Sequence, residues 1–127
     1  TSQRSSNNSS IPTVAAFVKG VMELAGAKKI HSTSPYPAWA PNVNSPTLKI
    51  ASGVYERLYK EKPKIEIIHA GLECGVLGER INGLDMISYG PTITGAHSPD
   101  EACCVKDVAK SYELTLHILN ELATRGQ

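Results

Sequence analysis

Ile65-Glu66-Ile67-Ile68 and Asp85-Met86-Ile87-Ser88-Tyr89, with Gly71 to Gly83 between them, decide the fold class. Both runs are rich in residues that suit a pleated, half-buried surface. The interval is long enough for a short helix. Strand, helix and strand with a connection of this length predict a parallel βαβ unit, and so an α/β fold. In such sheets ligands sit beyond the carboxyl ends of the strands. The first strand, over 64–69, leads into His69-Ala70-Gly71-Leu72-Glu73-Cys74-Gly75, and the second into Gly90-Pro91-Thr92. Both ends point to one crevice.

Outward from this unit, helices dominate. Val14, Phe17, Val18, Val21 and Ala25 recur at helical spacing, which predicts a helix over about 12–26, entered at Pro12 and ended by Gly26. Lys28 to Ser34 reads as a short strand with Ile30 inward. Pro35, Pro37 and Pro41 forbid regular structure, so residues 35–44 form a rigid connector and a candidate domain boundary, which Tyr36 and Trp39 wedge against the body. Ser45-Pro46 is a cap followed by a first-turn proline, and Ala51, Val54, Tyr55 and Leu58 continue as a helix ending near Pro63. Val108, Tyr112, Thr115, Leu119 and Leu122 make one stripe of a last helix over about 106–124. Neither part looks complete, because a two-stranded parallel sheet is too small to stand alone. The opening Thr1-Ser2-Gln3 lacks an initiator Met, which suggests a piece of a longer chain.

Bulk composition narrows the function classes. The 127 residues carry 13 basic and 12 acidic side chains and no basic stripe, so a nucleic-acid partner has no electrostatic support. No apolar run approaches the roughly 20 residues of a membrane span, and no signal peptide is visible. The three cysteines are odd in number, and Cys103 and Cys104 are adjacent, which points to a reducing, cytoplasmic home. Without a CxxC pattern or a cationic neighbour, both read as packing residues rather than reactive thiols.

His97 is the candidate with chemistry. It sits in Gly95-Ala96-His97-Ser98-Pro99-Asp100-Glu101, where Ser98 and Glu101 form a capping-box pattern and two small residues allow close approach. Histidine offers a neutral imidazole nitrogen to Zn²⁺ near neutral pH. An exposed loop histidine reads the same way, and one histidine is not a metal site. A local site from His97 with Asp100, Glu101 or Cys103 is opposed by Pro99 and by the capping role of Glu101. Glu73 reads equally as a substrate-facing carboxylate or as a first-turn partner of the helix dipole. Arg4, in the polar Ser/Asn-rich lead-in, is a surface cation or a carboxylate clamp. His69, His31 and His117 read as structural.

Three ordered blocks, His-Ala-Gly-Leu-Glu-Cys-Gly (69–75), Asp-Met-Ile-Ser-Tyr-Gly-Pro-Thr-Ile (85–93) and Gly-Ala-His-Ser-Pro-Asp-Glu (95–101), closely resemble the C-terminal part of bacterial aminoacyl-histidine dipeptidases, carnosinase-type members of the dizinc exopeptidase superfamily. Tyr-Pro-x-Trp-x-Pro-Asn (36–42) and Arg-Ser-Ser (4–6) look like further family segments, so the resemblance runs over nearly the whole chain. It implies an incomplete zinc-exopeptidase-like catalytic domain of parallel strands with helices over 45–127. A linker at 39–44 precedes it, and 1–38 is the C-terminal half of an α+β lid and dimerisation domain. The implied parent binds two zinc ions per subunit, hydrolyses X-His dipeptides with a metal-activated water and forms a homodimer. His97 then matches the last metal ligand, Arg4 the lid arginine that grips the substrate carboxylate, and Glu73 and Thr92 the substrate-side wall.

One departure limits this reading. The family's upstream His-x-Asp motif and Glu-Glu pair, which bring the other ligands and the general base, do not occur in this sequence. The chain alone is therefore expected to be inactive. The alternative is a non-catalytic scaffold that self-associates through exposed apolar faces and binds little or no metal.

Overall fold

The structure, a computed structural model, describes residues 1–33, 36–40, 42–67 and 73–125. In chain order these form α1 (Ser10–Leu24), α2 (Pro46–Tyr59), α3 (Glu73–Arg80), β1 (Ile93–Thr94), β2 (Ala102–Cys103) and α4 (Val105–Arg125). They gather into two compact units. One comprises Thr1–Asn42 with Glu66–Leu84, the other Val43–Ile65 with Asp85–Gln127.

The second unit is an α2–α4 pair with the β1–β2 hairpin before α4. Helix α2 starts where Ser45 stops the chain: its Oγ accepts from the Leu48 amide at 2.9 Å, and Pro46 follows in the first turn. Asp85 reinforces this end, its carboxylate accepting from the Thr47 amide at 2.9 Å. Ala51 and Val54 of α2 face Leu114 and Ile118 of α4, with Ile50, Tyr55, Leu58 and Ile87 packed around them. Tyr59 donates from its hydroxyl to the Lys110 carbonyl at 2.8 Å, and Tyr89 and Thr115 share a hydroxyl bond of 2.7 Å. Arg57 and Glu121 pair at 3.1 Å on the surface, where such a bridge adds at most about 1 kcal/mol.

The stripe expected to bury α4 is not the one that packs. Leu114 and Ile118, four residues apart, face α2, whereas Val108, Tyr112, Leu119 and Leu122 stay exposed. Periodicity gave the helix correctly but could not rank two apolar stripes on one cylinder.

The cap at Ser45 gives stability a pH dependence. The Asp85 carboxyl is held below the usual aspartate range, first by the Ser45 hydroxyl and then by the Thr47 amide. An unfolded aspartate titrates near ~3.9. Since the folded value is the lower one, the stabilisation is complete above that unfolded value. It is lost as pH falls through the folded value. Urea midpoints measured between neutral and acid pH should fall more steeply for wild type than for Asp85→Asn. Parallel profiles would remove Asp85 from the account.

In the first unit, α1 buries no residue, and Phe17, Val21 and Leu24 line one exposed side at helical spacing. The lead-in is pinned by Asn8, whose side-chain oxygen accepts from the Ala38 amide at 2.7 Å. Helix α3 is buried at Gly75, against the Pro37 carbonyl.

The expected parallel βαβ unit does not form among the described residues. Residues 65–67 and 85–89 join no ladder, and residues 28–33 form no strand; Ser34 and 68–72, with His69, lie outside the described residues. A β-rich run becomes a strand only when a neighbour takes up its amides and carbonyls, and no described segment lies in register beside these. The one ladder among the described residues is antiparallel, Ile93 with Cys103 and Thr94 with Ala102. It forms because its two sides are joined by a short local loop.

Candidate functional site

That loop, residues 95–101, carries His97 at the hairpin tip. The backbone at His97 is left-handed, with φ +65°, a conformation that few residues other than glycine adopt and that histidine tolerates better than most. A set of local hydrogen bonds holds it. The Glu101 carboxylate accepts from the His97 amide at 2.7 Å, a short, charge-assisted bond. Ser98 donates from Oγ to the Gly95 carbonyl at 2.6 Å and accepts from the Asp100 amide at 3.2 Å. The Ser98 amide also returns to the Gly95 carbonyl at 3.0 Å. Gly95, at φ +62°, lets the chain close: a Cβ there would lie 3.0 Å from the Asp100 carbonyl oxygen.

The capping-box reading of Ser98 and Glu101 is thus corrected. No helix follows Ser98; α4 begins at Val105, after β2. The same side chains satisfy turn amides instead. A Ser with a Glu three residues on can serve either purpose, and Gly95 with Pro99 favours the turn. The result brings a carboxylate to the histidine's own amide, which the capping pattern did not anticipate.

Thr92 stands at the base of the hairpin, where its carbonyl accepts from the Cys104 amide at 2.9 Å. Its hydroxyl is the main reason that the Asp107 carboxyl, in the first turn of α4, lies below the usual aspartate range. Glu73 is the first residue of α3 and exposed, as a dipole partner or a ligand-facing group would be. Next to it, burial pushes the Cys74 thiol up. Arg4 is exposed in the irregular lead-in and makes no ion pair among the described residues. Cys103 and Cys104 are exposed and free rather than packed, because the hairpin that carries them covers neither. His97 and Thr92 therefore belong to one unit, and Arg4 and Glu73 to the other.

A metal centre needs several ligands at once. Among the described residues no three His, Cys, Asp or Glu side chains gather where they could hold an ion, and Glu101 is engaged with the loop backbone. The donors present do not fit a complete zinc site.

No family model matches the chain. Individual proteins do. The cytosol non-specific dipeptidase of Escherichia coli (strain K12) is 40% identical over 112 residues, which is 88% of this chain and 23% of that protein. The crystal structure of the aminoacylhistidine dipeptidase from Vibrio alginolyticus shares 38% identity at a TM-score of 0.70, over 92% of this chain and 24% of that one. The chain is a homologue of these dipeptidases.

The dipeptidase homology covers nearly all of this chain but under a quarter of each relative's length. It bears out the resemblance drawn from the ordered blocks. The homologous fold, as far as it is described, is helical with one two-stranded sheet. No helix among the described residues is long and apolar enough to cross a membrane.

Proposed function

We propose that this chain is the C-terminal portion of a zinc-dependent, cytoplasmic dipeptidase that hydrolyses X-His dipeptides. Within it, residues 1–38 belong to a lid and dimerisation domain, 39–44 to a linker and 45–127 to the catalytic domain, whose parallel sheet is completed by other chain. The observation that carries this reading is the braced hairpin tip, where a left-handed His97 is fixed through its own amide. His97 gives one imidazole to a dizinc centre in the homodimeric parent. Arg4, Glu73 and Thr92 contribute the dipeptide's side of the cleft. The residues present do not make that centre complete, and no hydrolytic step is assigned to them.

Purified chain given carnosine and excess zinc should release no histidine above the uncatalysed background. Clear turnover would overturn the assignment of the missing ligands and base to other parts of a longer protein. Metal analysis supplies a second readout. Zinc should stay well below one per chain, and His97→Ala should change it little; stoichiometric zinc lost with His97 would mean a complete local site instead.

A scaffold reading rests on a different observation. Phe17, Val21 and Leu24 on α1, and Val108, Tyr112 and Leu119 on α4, form exposed apolar stripes. Stripes of this kind favour self-association. Sedimentation of the same preparation should show species larger than a monomer, and a compact monomer at every concentration would count against this.

A further inference from the structure

We infer that Asn82–Gly83 is a self-modification site, at which the asparagine side chain deamidates and leaves an aspartyl or isoaspartyl residue at position 82. The chemistry needs only water. The deprotonated Gly83 backbone nitrogen attacks Cγ of Asn82, the bond from Cγ to the side-chain nitrogen breaks, and ammonia leaves with the added proton. A five-membered succinimide remains. Water then adds to one of its two carbonyls. Opening at Cγ restores the ordinary backbone with a side-chain carboxylate, whereas opening at the main-chain carbonyl routes the backbone through Cβ.

Several observations select this position. Of six asparagines, Asn82 is the one followed by glycine, whose missing Cβ leaves the attacking nitrogen unshielded. Both residues are exposed in the turn after α3. That turn is closed by a single long bond, the Leu84 amide to the Ile81 carbonyl at 3.3 Å. Gly83 holds φ +77° at the third turn position, as in a type II turn. Ring closure requires the central peptide to flip, and an exposed turn held by one 3.3 Å bond permits it. The other asparagines are less free to react. Asn7 accepts from the Ser9 amide and hydroxyl, Asn8 holds the Ala38 amide, Asn42 is followed by the β-branched Val43, Asn44 precedes the buried Ser45, and Asn120 lies inside α4.

The product matters to α3. It places a new negative charge just past the helix's C-terminal end, where the dipole is already negative. The isoaspartyl form also lengthens the backbone inside the turn and breaks the Ile81–Leu84 bond. Unit 1 should therefore loosen around α3 as the protein ages.

The test is to incubate the folded chain at mildly alkaline pH beside a urea-unfolded sample, then map peptides by mass and by an isoaspartyl-specific methyltransferase. Acid and isoaspartyl products are expected at position 82 before any other asparagine, in folded and unfolded chain alike. They should be absent from Asn82→Gln and slowed in Gly83→Ala. Conversion in the unfolded sample alone, or earlier conversion at another asparagine of the folded chain, would overturn the proposal. So would an unchanged Asn82 in both samples.

Discussion

Ile118→Ala should lower the stability of the α2–α4 unit by about 2–5 kcal/mol. Ile118 is 4% exposed and is one of four buried apolar side chains among the described residues, with Ala51, Val54 and Leu114. Truncation removes three carbons from the seam between two helices. A two-helix seam cannot collapse around the void without separating the pair. Whole domains are stable by only about 5–15 kcal/mol, so one such loss is a large share. Urea unfolding followed by helical circular dichroism measures it. Leu119→Ala, one residue along and 57% exposed, is the control and should shift the midpoint within the roughly 0.5 kcal/mol usual for surface sites. Equal effects at the two positions would mean that α4 packs through the stripe with the clearer periodicity.

Gly75→Ala should destabilise the first unit, reversing the usual sign for a helical glycine. An alanine inside a helix ordinarily gains about 1 kcal/mol over glycine. Here the added Cβ would lie 2.5 Å from the Pro37 carbonyl oxygen and 3.4 Å from its carbon. The obstacle is backbone, and proline's ring stiffens it further. Either α3 or the segment around Pro37 must move, at a cost of about 1–3 kcal/mol for overpacking of this kind. Gly20→Ala supplies the reference, since nothing lies within 4 Å of a Cβ at that position of α1. Protease sensitivity of residues 36–40, compared between the two variants, reads the displacement directly. A Gly75→Ala protein as stable as Gly20→Ala would show that the close approach relaxes without strain.

Helices were legible in the sequence because their signals are local. Ser45-Pro46 marked the start of α2 and the spacing of Ala51, Val54 and Leu58 its face, and the structure follows both. The spacing over 106–124 matches helix α4 to within a residue at each end but not its buried side, since burial depends on what faces the helix. The strands failed for the same reason: Ile65-Glu66-Ile67 and Asp85 to Tyr89 have the composition of strands, but pairing is a property of neighbours. At the site, His97 stood out by its surroundings. Its bracing by Glu101 did not, because a Ser followed by a Glu three residues later is equally a helix start and a turn lock. Homology to dipeptidases was readable only from the joint order of the three blocks, not from any one residue.

The hairpin tip has an entropic consequence. Fixing one residue's backbone costs about 1–2 kcal/mol of conformational entropy. Over 95–101 that ordering is met within the fold, by Glu101, Ser98 and the β1–β2 ladder. In the ligand role proposed for His97, an imidazole on a loop braced in this way surrenders little further backbone freedom on binding. Every bond that braces it joins residues close in sequence, and hairpins of this size close in about 1–10 μs. The loop can therefore be set before distant segments find it, and it waits for them in its final shape.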